Sequence, residues 1–70
     1  MSKFSERLLV LRKERKLKQE DLLEPFGVSI RTYRRYETGV SEEVTLPTLW
    51  KIADFYDVSV DYLIGRSDTK

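Results

Sequence analysis

Apolar residues return at helical spacing in five stretches of this chain. Phe4, Leu8 and Leu11 stand at i, i+4 and i+7, the buried face of a first helix, with Ser2 or Ser5 able to cap its start. The pattern fades through the charged residues 12–16. It resumes at Leu22, Leu23 and Phe26, behind Glu20 and Asp21, two acids that suit the positive end of a first helical turn. Pro25 removes a backbone donor and should end or kink this second helix early, and Gly27 sits where a left-handed turn residue belongs. Ser29 then caps a third helix with Tyr33 and Tyr36 inward, and Thr38-Gly39 stops it. Beyond a loop at 40–44, Thr45 caps a fourth helix that tolerates Pro47 in its first turn. Leu46, Leu49, Ile52, Ala53 and Tyr56 mark its inner face. After a break at Asp57-Val58, Ser59 caps a last short helix with Val60, Leu63 and Ile64 inward, ended by Gly65. The pattern predicts an all-α domain over residues 4–66 and a disordered tail at 67–70.

Composition narrows what such a domain does. Seventy residues make one domain with a thin core. The chain has no Cys and no His, which removes disulfides, Cys/His zinc sites and every nucleophile built on those residues. There is no Gly-rich phosphate loop and no carboxylate cluster poised in a cleft, so the chain does not read as an enzyme and no cofactor is implied. No apolar run approaches the roughly 20 residues of a membrane span, and the first residues lack a signal-peptide core, so a cytoplasmic protein is expected. The net charge of +1 is unevenly spread: residues 1–36 carry ten Lys/Arg and five Asp/Glu, residues 37–70 three and seven. A basic half suits a phosphate backbone.

The second and third helices, with the tight turn at Gly27-Val28, make a helix-turn-helix over residues 19–38. The face opposite Tyr33 and Tyr36 carries Ile30, Arg31, Arg34 and Arg35 as one stripe. Arginine matches the two major-groove acceptors of guanine with two parallel bonds. Ser29, Thr32 and Thr38 are short donors suited to phosphate oxygens, and Gln19 stands where it could donate to a phosphate.

Gln19-Glu20-Asp21-Leu22, Gly27-Val28-Ser29 and Arg35-Tyr36-Glu37-Thr38-Gly39, in that order, resemble the Cro/CI-type (XRE, lambda-repressor-like) helix-turn-helix regulators. The similarity extends to Leu11-Arg12-Lys13-Glu14, to Lys51-Ile52-Ala53-Asp54-Phe55 and to residues 58–65. The resemblance implies a five-helix lambda-repressor-like fold and a transcriptional regulator, with a repressor as the first expectation. Carried over by position, it implies phosphate contact at Gln19 and Ser29, base reading at Ile30, Arg31, Thr32, Arg34 and Arg35, and a structural ion pair between Arg12 and Glu37. The chain departs from the family pattern at several positions. Lys16 replaces a turn glycine, and Leu23 stands where an alanine lets the motif helices cross closely. Pro25 is unusual, and Tyr33 replaces an aliphatic residue, its hydroxyl left to reach solvent or a phosphate. Val40 and the acidic pair Glu42-Glu43 alter the following loop.

The partner expected on these grounds is double-stranded DNA, as a palindromic operator bound by a homodimer, with no membrane and no small-molecule ligand. Leu9, Val10 and Trp50 fall off the inner faces. Trp50, with Tyr62 as a second candidate, is expected in a dimer interface. The alternative is a protein-interaction module, antitoxin- or antirepressor-like, that uses the same fold to grip a protein.

Overall fold

The computed structural model of the chain describes residues 3–39 and 44–70. They form α1 (Lys3–Glu14), a 3-10 turn (Gln19–Leu22), α2 (Leu23–Phe26), α3 (Ile30–Thr38), α4 (Leu46–Tyr56) and α5 (Val60–Leu63). Ser2 as a cap, and the loop residues Val40, Glu42 and Glu43, lie outside the described residues.

Local chemistry sets most of the boundaries. Ser29, Thr45 and Ser59 each accept the backbone N–H three residues on, at 3.2, 3.4 and 3.0 Å, so one orphan donor of α3, α4 and α5 is satisfied. Ser5 does not cap α1. It lies inside the helix, fully buried, and its hydroxyl donates to the Tyr36 carbonyl at 2.6 Å, fastening α1 to α3. The chain keeps the left-handed turn after α1 although Lys16 must adopt it, at φ 56°. The strain of about 1–2 kcal/mol is offset by backbone bonds from Lys16 to the Lys13 carbonyl and from Leu17 to the Arg12 carbonyl, both 3.1 Å. Pro25 acts as its chemistry dictates. It has no N–H to offer the Asp21 carbonyl, and the first motif helix becomes a 3-10 turn followed by a single α turn. Leu23 is accommodated half-buried against the core. Gly27, at φ 67°, closes α2 and opens the path to α3.

Among the described residues, twelve buried apolar residues form one core, from Phe4, Leu8 and Leu11 of α1 through Leu22 and Phe26 to Tyr33, Tyr36, Ile52, Ala53, Tyr56, Tyr62 and Leu63. Phe26 is its centre. Its ring stacks on Tyr33 at 6.3 Å and meets Phe55 and Tyr56 edge-on at 5.4 and 6.1 Å. Phe55, outside the expected stripe, thus joins the packing. Leu46 and Ile64 depart from it the other way, at 52% and 38% exposed. Leu46 is the first residue of α4 and Ile64 follows the last residue of α5.

The last residues are bonded to α1 and to the start of α5. The Arg7 guanidinium donates to the carbonyls of Tyr62 (2.7 Å) and Ser67 and pairs with Asp68 at 2.8 Å. The Ser59 N–H donates to the Lys70 oxygen at 2.9 Å, and the Lys70 ammonium reaches Glu14 at 3.2 Å. Arg15 donates to the Phe55 and Tyr56 carbonyls at 3.2 and 3.0 Å, capping the last turn of α4 with a positive charge.

The Tyr56 hydroxyl is buried and finds no hydrogen-bond partner among the described residues. Burial, with the Glu37 carboxylate adding to it, pushes its pKa up to about 12. Tyr56→Phe removes a group that costs free energy to bury and no bond. It is expected to leave stability unchanged or raise it by about 1 kcal/mol, read from urea unfolding; a loss of more than that amount would contradict this placement.

Candidate nucleic-acid interface

The motif is held together by one buried carboxylate. Glu37, 6% exposed at the end of α3, faces inward at the junction of α1, the 3-10 turn and α3. Arg12 donates to both its oxygens, Nε to Oε2 at 2.7 Å and Nη2 to Oε1 at 3.1 Å, and also holds the Leu17 carbonyl with Nη1 at 3.0 Å. The Gln19 side-chain N–H donates to Glu37 Oε1 at 3.1 Å, and the Tyr33 hydroxyl donates to Oε2. Burial pushes the Glu37 carboxyl up, but the hydrogen bonds from Arg12, Tyr33 and Gln19 together outweigh it and hold its pKa below the ordinary carboxylate value. The same bond from Arg12 to Glu37, acting against burial, raises the Arg12 pKa. Tyr33 is raised by burial first and the Glu37 carboxylate second, so it stays protonated and donating.

Tyr33 is therefore neither a phosphate nor a solvent contact. It is fully buried, and its hydroxyl is spent on Glu37, one helical turn further along α3. That pairing had a signal in the sequence, since a tyrosine and a glutamate four apart share one face of a helix. Nothing local marked Gln19 as a bridge. Its amide spans 18 residues to reach Glu37, and its oxygen accepts from Arg34 Nε at 3.2 Å.

The outward face of α3 presents Arg31, Arg34 and Arg35 exposed, with Ile30 and Thr32 half-buried beside them. The guanidinium groups of Arg31 and Arg35 have no hydrogen-bond or ion-pair partner among the described residues. Ser29 stands exposed at the helix start, its hydroxyl donating to Thr32 Oγ1 at 3.1 Å while it caps the Thr32 N–H. Thr38, also exposed, donates to the Arg35 carbonyl at 3.4 Å. The arrangement is a rigid rod whose inner side is locked to the core and whose outer side carries three guanidinium groups.

Trp50 is 54% exposed, one turn along α4 from exposed Leu46. Tyr62 is not on that surface. It is 9% exposed because the Arg7 guanidinium lies over its ring at 4.2 Å, with the Lys70 ammonium at 5.9 Å. The tail that buries it is held by bonds to residues far away in the chain. Among the described residues no helix is long and apolar enough to cross a membrane, and no group of His, Cys, Asp or Glu is placed to hold a metal ion.

Two helices joined by a tight glycine turn, with the second presented outward on a buried platform, define a helix-turn-helix domain. The chain belongs to the XRE/Cro/CI-type helix-turn-helix family, whose helix-turn-helix model matches residues 8–63. It is 41% identical over 68 residues to the uncharacterized HTH-type transcriptional regulator YqaE of Bacillus subtilis, covering 96% of this chain and 58% of that protein. It is 39% identical over 66 residues to the cryptic phage CTXphi transcriptional repressor RstR of Vibrio cholerae, covering 94% of this chain and 59% of that one. Among solved structures, a transcriptional regulator from Listeria innocua superposes with a TM-score of 0.82 at 32% identity, over 89% of this chain and 57% of that chain. The chain thus spans somewhat more than half the length of the relatives it matches.

Proposed function

We propose that this domain binds double-stranded DNA in a sequence-specific manner, with α3 in the major groove, and that it acts in the cytoplasm as a transcriptional repressor. The observation that carries this reading is the outer face of α3. Three exposed guanidinium groups project from a helix whose opposite side is fastened to the core through Tyr33, Tyr36 and Glu37. Such preorganisation is what bidentate base recognition needs. Ile30 and Thr32 lie beside the arginines as candidates for apolar and short polar base contacts. Gln19, Ser29 and Thr38 flank them as phosphate contacts. No cofactor or small-molecule ligand enters the reading. The name of the Vibrio cholerae relative supports repression as the outcome.

Single modules bury little DNA surface, so the chain binds as a homodimer on a palindromic operator. The Leu46–Trp50 strip on α4 supplies an exposed apolar surface for it. The same strip, with Val10 exposed on α1, favours the interaction-module reading, and a gel shift at low salt separates the two. DNA retained by the wild type supports the regulator; no shift on any duplex supports the module. Arg35→Ala is expected to weaken operator binding by about 1–3 kcal/mol and to relax one base position. A variant that binds every sequence as the wild type does would contradict base reading by Arg35.

A further inference from the structure

We infer that Arg34 is a backbone-gripping residue, not a base reader: with Gln19 it forms a clamp for one phosphate at the seam between α3 and the 3-10 turn. The three arginines of α3 look equivalent in sequence but are not equivalent in space. Tyr33, Tyr36 and Glu37 define the buried side of the helix. At 3.6 residues per turn, Arg31 and Arg35 stand opposite that side, whereas Arg34 is only about a quarter-turn round from Tyr33. It lies on the flank that also carries Glu37 and that faces the preceding turn of the motif. Its Nε donates to Gln19 Oε1 at 3.2 Å, while the guanidinium groups of Arg31 and Arg35 have no partner among the described residues.

The orientation of the Gln19 amide follows from its other bond. Glu37 only accepts, so the amide must turn its N–H group inward to the carboxylate and its oxygen outward. An outward acceptor suits Arg34 and holds the guanidinium by Nε, leaving Nη1 and Nη2 without a partner among the described residues. A planar fork held in that way matches two oxygens of a phosphate. In a helix-turn-helix the first motif helix lies across the DNA backbone, so a side chain anchored to its first residue is positioned over the backbone and not over base edges. Base reading by the arginines of α3 then narrows to Arg31 and Arg35.

This inference rests on the DNA-binding reading above. The test keeps the two apart by using the full chain, a random-sequence duplex pool and anisotropy titrations over a salt series. Arg34→Ala is expected to weaken selected and unselected duplexes by the same factor, about fivefold near physiological salt for one lost phosphate contact. The slope of log K against log salt should fall by about one, and the selected sequence should be unchanged. Gln19→Ala is expected to weaken both duplexes uniformly as well, and to add little to Arg34→Ala in the double variant, because the two act as one unit. Thermal melts verify that each variant is folded, and exposed Arg34 makes no buried contact whose loss would unfold it. A selected sequence that relaxes at one base pair in Arg34→Ala would overturn the inference, as would binding equal to wild type. Absence of any selected sequence for the wild type would instead overturn the DNA-binding reading itself.

Discussion

Glu37→Ala is expected to destabilise the domain by about 3–5 kcal/mol, the cost of leaving the partner of a buried ion pair uncompensated. Arg12 has 16% of its side chain exposed and would keep its charge with no carboxylate to meet it. The Tyr33 hydroxyl and the Gln19 amide would lose their acceptor in the same step. A domain of this length has roughly 4–10 kcal/mol of stability in total, so the variant sits near its unfolding threshold at 25 °C. Acid should act through the same group. The Glu37 pKa is lowered on folding, so its contribution is present in full above the unfolded carboxylate value of about 4.3 and is lost as pH falls through the lower folded value. Urea unfolding of the wild type should therefore weaken below about pH 4, and Glu37→Gln should flatten that limb. A Glu37→Ala variant within 1 kcal/mol of wild type would contradict the role given to the cluster.

Phe26→Ala is expected to cost about 3–5 kcal/mol by a different route, the cavity left when a fully packed aromatic ring is removed. Phe26 is 1% exposed and touches the rings of Tyr33, Phe55 and Tyr56. Its loss unseats α3 through Tyr33 and separates α2 from α4, so near-UV dichroism should collapse together with DNA binding. Trp50→Ala, on the exposed face of α4, provides the contrast and should fall within about 0.5 kcal/mol of wild type in the monomer. Comparable losses in the two variants would show that Phe26 is not the centre of the core.

The two substitutions separate what was legible in the sequence from what was not. Phe26, Tyr33 and Tyr36 were readable as core because helical spacing is local. The caps at Ser29, Thr45 and Ser59 and the turn at Gly27 were readable for the same reason. Pro25 announced the short α2, since a missing N–H is a property of one residue. Helix termini were less legible: Leu46 and Ile64 obey the period, yet at the ends of α4 and α5 they stay exposed, which periodicity does not encode. The left-handed Asp57 that closes α4 carries no glycine to mark it.

Within the site, the candidate arginines of α3 were visible, but their inequivalence was not. It depends on Gln19, 15 residues from Arg34 and 18 from Glu37. The burial of Tyr62 under Arg7, a contact between residues 55 apart, had no sequence signal either. Those features follow from tertiary packing between distant segments, which local spacing does not encode.

The most direct test of the central proposal is selection of bound duplexes from a random DNA pool with the wild-type chain. One palindrome whose half-sites lie about one helical turn apart should be enriched, with binding that weakens as salt rises. A pool that emerges without an enriched sequence, at low salt and with a folded protein, would contradict it.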